Sequence, residues 1–273
     1  MLLKSYFKRS FLIYMISRIK YFLPVIVTLY CFSSCSNDEG TYKNITDVTR
    51  YKNNQVLFSS KYYPLLNLEK DYKCFNQDGG ELSEKSFLDS LISGSYFPML
   101  QRRKESGEVR FSLVKLIGEG YGSIIEIVKV VAYYRAEDLK VIGKDLSGII
   151  LTDVKGQRMS LDDPKYKFTI VKCWFIGCTA CVAEFPELNE FVSTNFHKEK
   201  YKFISLAIDD NLKLNEFLKL HPFQYNVVGK MGDLMREKIG IVAYPTHLVI
   251  EKGKVIKTFS TAYNLINFLK SNS

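Results

Sequence analysis

The 273-residue sequence has few cysteines, no dense stripe of lysine and arginine, and no apolar run long enough to cross a membrane comfortably. Six cysteines are too few for a disulfide-stabilised scaffold in a chain of this length. The apolar stretch Tyr21–Phe32 has 12 residues, whereas a membrane span needs about 20. The lack of a basic stripe or a nucleic-acid motif gives no support for nucleic-acid binding. An apolar content of 47% and a charged content of 25% indicate a globular protein.

The formal net charge of +9 overstates the basic character of the folded part. Residues 1–34 contain five lysine and arginine residues and no acidic residue. Without them the net charge is +4, which is nine minus five. The charge of the chain is therefore largely a property of its N-terminus, and we predict no nucleic-acid partner.

The N-terminus has the pattern of a bacterial lipoprotein signal peptide. Two basic residues precede the short apolar stretch, and Ser33-Ser34-Cys35 follow it in an arrangement that resembles a lipobox. We predict a signal peptide over residues 1–34, lipidation of Cys35 and a polar tether over residues 35–50. The protein is then expected in the cell envelope, anchored by lipid and facing the periplasm, with the outer membrane as a candidate location. The alternative is a plain signal anchor in which Cys35 is incidental.

The cysteines divide into a functional pair and structural thiols. Two of the six lie in or next to the predicted signal peptide, which leaves four in the mature chain. The simplest partition is one redox pair, Cys178 and Cys181, and two structural thiols, Cys74 and Cys173, that do not bond to each other. Cys173 lies on a predicted strand and is expected to point into the core.

Residues 51–140 are predicted to form a small α+β domain of unknown role. Ser83–Ile92 has the apolar spacing of a short helix with a glycine stop. Alternating apolar residues indicate a strand over Val109–Leu113, and β-branched and aromatic residues indicate a buried strand over Ile124–Tyr134. The region contains no recognisable group of catalytic residues.

Residues 141–273 alternate between predicted strands and helices, which favours an α/β sheet with helices on both faces. Hairpins are expected to turn at Lys155-Gly156 and at Lys252-Gly253. The predicted elements are a hairpin over Ile149–Leu161, strand Lys167–Phe175, helix Thr179–Phe196, strand Lys202–Ile208, helix Leu212–Leu220, strand Tyr225–Val228, helical turns over Asp233–Ile239, a hairpin of Thr246–Ile250 with Lys254–Phe259, and helix Asn264–Lys270.

The strongest functional motif is Cys178-Thr179-Ala180-Cys181. The two thiols lie three residues apart, between a buried strand and the start of a helix, where the positive end of the helix stabilises a thiolate. We predict that Cys178 is the accessible nucleophile and that Cys181 closes the disulfide. Metal sites also use this spacing, but zinc needs two more ligands. Cys173 and His247 are the available candidates, and their positions on strands argue against a zinc site.

Further residues around and after the cysteines form a recognisable pattern with them. The set is Cys173, Trp174, Cys178, Cys181, Glu184, Pro186, Leu188, Asn189, Tyr244, Pro245 and Thr246. With these residues, the region from about Asp145 to the C-terminus resembles the TlpA/ResA-type thiol–disulfide oxidoreductases. The resemblance implies a thioredoxin-like α/β domain, preceded here by the small α+β domain. It also implies that Pro186 kinks the helix after the cysteines, and that Pro245 follows a cis peptide bond beside them and leaves backbone free to pair with an extended client peptide.

The resemblance further gives Glu184 the position of a family carboxylate near the second thiol. Lys172 lies six residues before Cys178, where thioredoxin has a buried acid and many relatives have asparagine. In a dry site we expect the two charges to pair or to share water below Cys181, with Glu184 carrying the proton that Cys181 loses and Lys172 favouring the thiolate. The alternative is that Lys172 extends to solvent and Glu184 only favours the first turn of its helix.

The implied activity is dithiol–disulfide exchange with extracytoplasmic proteins. Cys178 attacks a disulfide to form a mixed disulfide, and Cys181 then attacks Cys178 and releases the reduced client. The expected partners are protein thiols or disulfides, with apocytochromes as one candidate class, and a membrane redox partner. We expect no cofactor and no metal. The direction of transfer and the redox potential do not follow from the Thr-Ala pair between the cysteines.

Other functions of the same fold fit the sequence less well. A peroxiredoxin needs a Pro-x-x-x-Thr-x-x-Cys loop, which is absent, and a copper-delivery protein uses a Cys-x-x-x-Cys spacing. Cytochrome attachment needs a histidine where Val182 follows Cys181. The main rival is a lipid-anchored binding or assembly protein with a vestigial redox motif. The presence of both thiols, Glu184 and Pro245 argues against this rival.

Overall fold

The structure, a computed structural model, describes residues 42–45, 47–69, 72–194 and 199–272. The predicted signal peptide and the predicted lipidation site Cys35 lie outside these residues. In the part of the chain that is described, no helix has the length and apolar composition needed to span a membrane.

The chain divides into two structural units. The described part of the smaller unit is strand β1 (Tyr42–Asn44), which pairs antiparallel with residues 101–103, and the turn up to residue 108. The larger unit comprises residues 45–100 and 109–273. Within the predicted tether, β1 and a helical turn over Val48–Tyr51 are structured. The predicted domain limits stay predictions.

The N-terminal part of the larger unit combines a sheet with two helices. Its strands have the order β4-β5-β2-β3, with β2 parallel to β5 and antiparallel to β3. Ser83 begins the first helix as predicted, because its hydroxyl accepts a hydrogen bond from the backbone N–H of Ser86. The elements are three consecutive helical turns (Gln55–Leu57, Phe58–Tyr62 and Tyr63–Leu65), β2 (Lys73–Phe75), β3 (Glu81–Leu82), α1 (Glu84–Ile92), β4 (Tyr96–Arg103), β5 (Val109–Lys115) and α2 (Gly122–Val141).

The predicted strand over Ile124–Tyr134 is wrong, because this segment lies inside helix α2. Its β-branched and aromatic residues favour a strand locally. However, Ile124, Val128, Ala132 and Arg135 are buried at spacings of four, four and three residues, which is the period of one helix face. That face packs against α1, so tertiary burial overrides the local preference.

The C-terminal part contains the predicted α/β sheet, whose strands have the order β10-β9-β8-β11-β12. The first three strands are parallel, and β11 runs antiparallel to both of its neighbours. The central strand β8 is buried at all seven positions. The elements are the hairpin β6 (Ile150–Thr152) and β7 (Arg158–Ser160), β8 (Phe168–Trp174), α3 (Thr179–Ala183), α4 (Phe185–Ser193), β9 (Tyr201–Ala207), α5 (Asn211–Leu220), β10 (Asn226–Val228), a helical segment (Leu234–Ile239), β11 (Thr246–Glu251), β12 (Lys254–Phe259) and α6 (Ala262–Ser271).

The helix predicted over Thr179–Phe196 is present but interrupted. It breaks at Glu184 into α3 and α4, and Pro186 lies at the start of α4. A proline cannot donate its backbone hydrogen bond, so the interruption follows from the sequence as expected. Phe185 and Leu188 are buried, Val192 is half-buried, and Phe196 lies outside the described residues.

Candidate active site

The cysteine pair lies where strand β8 passes into helix α3. Cys178 is the residue that caps α3, and its Sγ accepts a hydrogen bond of 3.2 Å from the backbone N–H of Cys181. The two cysteines form a disulfide with an S–S distance of 2.03 Å. Cys178 keeps 8% of its surface exposed, whereas Cys181 is fully buried. The first cysteine is therefore the one that an outside thiol or disulfide can reach.

The connection between β8 and Cys178 is hydrogen-bonded to the residues that follow β9. The backbone N–H of Ile176 donates to Oδ2 of Asp209 at 2.8 Å, and the N–H of Ile208 donates to the carbonyl of Trp174 at 3.2 Å. Asp209 is the second residue after the end of β9. The loop before the nucleophile is thus held by groups that the sequence analysis did not single out.

The peptide bond between Tyr244 and Pro245 is cis, as the resemblance implied. Pro245 immediately precedes β11, whose first residue, Thr246, lies opposite Cys173 on β8. Because β8 also leads to Cys178, the antiparallel pairing brings the proline loop beside the cysteines. Residues 243–246 and Cys178 line the same cleft.

Trp174 lies in the core next to the cysteines. It is fully buried, its Nε1 donates to the hydroxyl of Ser205 at 2.7 Å, and its ring packs edge-on against Phe185 with centroids 4.9 Å apart. These contacts suit a residue that supports the position of the cysteine pair. A role in the exchange reaction itself stays a prediction.

Glu184 and Lys172 form the ion pair that the sequence predicted. The Nζ of Lys172 donates to Oε2 of Glu184 at 2.5 Å, and Lys172 is fully buried. The alternative in which Lys172 extends to solvent is therefore excluded. Glu184 occupies the junction of α3 and α4, and its Oε1 accepts a 2.8 Å hydrogen bond from the backbone N–H of Ala262, the first residue of α6. A carboxylate at a helix N-terminus also gains from the helix dipole.

His247 joins Lys172 and Glu184 in a buried cluster, and the sequence analysis missed this role. Its Nε2 lies 3.1 Å from Oε2 of Glu184, and its ring is fully buried. His247 lies opposite Lys172 in the pairing of β11 with β8, so both side chains project from the same face of the sheet. Nothing near His247 in the sequence reveals this partner, because the contact depends on the strand register.

The cluster keeps Glu184 ionised. Burial alone would raise the pKa of Glu184, but the hydrogen bond and charge of His247 and the charge and hydrogen bond of Lys172 outweigh it and lower the pKa to about 2. Burial lowers the pKa of Lys172, against the opposing effect of Glu184. Burial and the charge of Lys172 also lower the pKa of His247, so the imidazole is neutral at neutral pH.

The state of His247 leads to a pH-dependence of stability. Its pKa is lowered on folding, so the unfolded chain binds more protons once the pH falls below the ordinary value of 6.5. His247 therefore lowers the free energy of unfolding of the oxidised protein between pH 7.5 and pH 5, whereas Asp138, whose pKa is raised to about 7, acts in the opposite direction. His247→Gln keeps a donor for Glu184 but does not titrate, so on going from pH 7.5 to pH 5 the wild type should lose more stability, or gain less, than this variant in urea unfolding. The same change in both proteins would show that His247 makes no such contribution.

The two remaining cysteines of the described chain are free thiols, as predicted. Burial raises the pKa of Cys173 to about 12, against the charge of Lys172. Burial, together with the charges of Glu84 and Glu81, raises the pKa of Cys74 to about 11. Both thiols are therefore poor nucleophiles at neutral pH.

We expect iodoacetamide to modify the reduced native protein at Cys178 first, because this cysteine is the most accessible of the four in the described chain and caps a helix. Cys74 and Cys173 should react only after denaturation. Peptide mapping by mass spectrometry assigns each label to its cysteine. Rapid labelling of Cys173 in the native protein would contradict its assignment as a buried structural thiol.

The described residues contain no group of three or more histidine, cysteine, aspartate and glutamate side chains arranged to hold a metal ion. The expected lack of a metal stays a prediction.

The fold and the cysteine pair at the start of α3 define a thioredoxin-like domain with a C-x-x-C disulfide. Consistent with this class, the model of the AhpC/TSA family matches residues 142–259.

Comparison with curated proteins identifies the family. The thiol–disulfide oxidoreductase ResA of Bacillus thuringiensis subsp. konkukian is 30% identical over 128 residues, which cover 46% of this chain and 73% of the relative. The ResA protein of Bacillus anthracis is 27% identical over the same length. The chain belongs to the ResA family of thiol–disulfide oxidoreductases.

Solved structures of similar fold cover the C-terminal part of the chain. The thioredoxin domain of a thiol–disulfide oxidoreductase from Bacteroides vulgatus has a TM-score of 0.43 and 24% identity, and the match covers 48% of this chain and 96% of that one. StoA from Bacillus subtilis has a TM-score of 0.40 and 19% identity, with coverages of 44% and 94%.

Proposed function

We propose that this enzyme exchanges disulfides with extracytoplasmic proteins through Cys178 and Cys181 while anchored to a membrane by lipid. The observation that carries the proposal is the asymmetry of the pair. Cys178 keeps 8% of its surface accessible at the start of a helix, and Cys181, bonded to it, is fully buried. This arrangement suits a nucleophile and a resolving thiol.

The proposed reaction balances as a two-electron transfer. The Cys178 thiolate attacks one sulfur of a client disulfide, forms a mixed disulfide and expels the other client sulfur as a thiolate. The Cys181 thiolate then attacks Sγ of Cys178 and expels the second client thiolate. The client gains two electrons and two protons, and the enzyme is left with the Cys178–Cys181 disulfide. The reverse sequence oxidises a client dithiol.

Glu184 is better suited to an electrostatic role than to the proton transfer that the sequence suggested. A carboxylate with a pKa of about 2 is a weak base and remains ionised at neutral pH. Together with Lys172 it places a fixed ion pair, hydrogen-bonded to the neutral His247, beside the helix that carries Cys181. We propose that this ion pair adjusts the stability of the two thiolates.

The proposed location rests on the N-terminal sequence. Cys35→Ala should block lipid addition and cleavage of the signal peptide, so that the protein accumulates as a longer, unlipidated form. Mass spectrometry of the membrane fraction measures both changes. Cys31→Ala is the matched control, because it removes a cysteine within the signal peptide and should leave processing intact. An unmodified Cys35 in the mature protein from membranes would contradict the proposal.

The proposed clients are protein thiols or disulfides, with apocytochromes as one candidate class and a membrane protein as the redox partner. Reduction of insulin by the protein in the presence of dithiothreitol tests the activity without knowledge of the natural client. Turnover above the dithiothreitol background is the expected result. A lipid-anchored binding protein with a vestigial motif would give none.

A further inference from the structure

The larger unit contains a cleft of about 860 Å³ beside Cys178, a size suited to a ligand-binding site. One wall consists of the proline loop at 242–246 and the start of helix α6 at 260–264. The other wall consists of residues 63–69 and the last turns of α2 at 131–138. This second wall lies outside the residues that match the family model. The N-terminal part therefore supplies ten of the 21 residues that line the cleft beside Cys178.

Two carboxylates, Glu69 and Asp138, line the cleft, and only Glu69 accepts hydrogen bonds from residues that the structure describes. Glu69 accepts hydrogen bonds from the backbone N–H of Ser260 at 2.7 Å and from the side chain of Asn264 at 2.6 Å. Asp138 has no hydrogen bond or ion pair with any residue that the structure describes. Burial raises the pKa of Asp138 to about 7, with the charges of Glu69 and Glu137 acting in the same direction and that of Arg135 opposing them.

The two cations that flank Asp138 on its helix both pair with other carboxylates. Arg135 lies one helical turn before Asp138, is 6% exposed, and donates from Nε to Oε1 of Glu84 at 2.9 Å. Lys140 pairs with Glu137. The Nη1 of Arg135 has no hydrogen-bond partner in the described part of the chain, but this atom is itself buried. Asp138 is therefore the group on this wall that remains available to a ligand.

Aromatic side chains surround these groups. Tyr63, Tyr134 and Tyr263 line the cleft and are exposed to solvent, and Phe175 and Tyr244 also line it and pack edge-on with ring centroids 5.5 Å apart. Aromatic faces attract cations and provide apolar contact for an extended chain. A lysine or arginine side chain combines the alkyl stem and the charged donor that such a lining fits.

We propose that this cleft selects client segments in which a lysine or arginine lies close to the reacting cysteine. Asp138 pairs with the basic side chain, and the tyrosines contact its stem. The proposal rests on the exchange activity proposed above. It gives the N-terminal part of the enzyme a function, which is the choice of client.

Peptide disulfides test the proposal on the full-length protein. Nine-residue peptides with a central cysteine in mixed disulfide with a chromophoric aryl thiol are reacted with the pre-reduced protein, and release of the aryl thiolate is followed. A lysine is moved through the four positions on each side of the cysteine, with glutamine as the neutral reference. Each rate is normalised to the rate of the same peptide with dithiothreitol, which removes intrinsic differences in reactivity.

At pH 8 the wild type should prefer lysine over glutamine about three- to fivefold at one or more positions, the scale of a partly exposed charge pair. The preference should weaken at pH 6, where Asp138 is protonated. Asp138→Asn should abolish the preference at both pH values. Glu126→Gln, which removes an exposed carboxylate paired with Lys129 on the same helix, should retain it.

Equal rates for lysine and glutamine peptides at every position would overturn the inference and leave the exchange activity intact. A preference that persists in Asp138→Asn would also overturn it. If neither the peptides nor insulin reacted, the proposed function would fail and the inference with it.

Discussion

Replacement of Cys178 by serine is expected to abolish disulfide exchange. The variant keeps the shape of the residue but loses the thiol of the one cysteine of the pair that retains accessible surface. A serine hydroxyl does not form a thiolate at neutral pH and cannot enter a mixed disulfide. Insulin reduction by this variant should therefore fall to the rate seen with dithiothreitol alone.

Cys181→Ser should have a different consequence, because the first step remains possible. Cys178 still attacks the client, but no resolving thiol releases it, so mixed disulfides should accumulate. Non-reducing electrophoresis and mass spectrometry detect these adducts through Cys178. Cys74→Ser is the matched control, since the Cys74 thiol is buried and should be dispensable. Full turnover by Cys178→Ser would contradict the assignment of the nucleophile.

Glu184→Ala is expected to destabilise the oxidised protein by about 3–5 kcal/mol, the usual cost of leaving a buried charge without its partner. Lys172 is fully buried, and the described structure gives it no other carboxylate partner. Urea unfolding at pH 7.5 measures the change. Glu190→Ala removes an exposed carboxylate from the same helical region and should change the stability by no more than about 0.5 kcal/mol.

A double variant separates the contribution of the ion pair to stability from the contribution of side-chain packing. Lys172→Met combined with Glu184→Leu removes both charges and keeps apolar volume, which is often close to neutral for a buried pair. The double variant should therefore be more stable than Glu184→Ala. If Glu184→Ala were as mild as Glu190→Ala, the buried cluster would not be a stabilising feature of the fold.

Much of the C-terminal fold could be predicted because its signals are local. The buried run of β8 and the cysteine motif after it follow one another in the sequence, and Pro186 marks the break between α3 and α4. The segment Ile124–Tyr134 shows the limit of this approach. Its composition favours a strand, and only its packing against α1 makes it helical.

The site could be predicted where its residues are close in sequence to the cysteines. Glu184 lies three residues after Cys181, and Lys172 lies on the strand that leads to Cys178, so their pairing followed from the fold class. His247 joins them through the register of two strands, which no local pattern encodes. The cleft wall that contains Asp138 depends on contacts over an even longer separation along the chain.

The most direct test of the account is a single-turnover reaction between the fully reduced protein and insulin, quenched with acid and mapped by mass spectrometry. We predict one new Cys178–Cys181 disulfide for each insulin disulfide that opens, with Cys74 and Cys173 remaining as thiols. Insulin reduction without formation of the Cys178–Cys181 disulfide, or no reduction at all, would contradict the central claim that this pair carries the exchange.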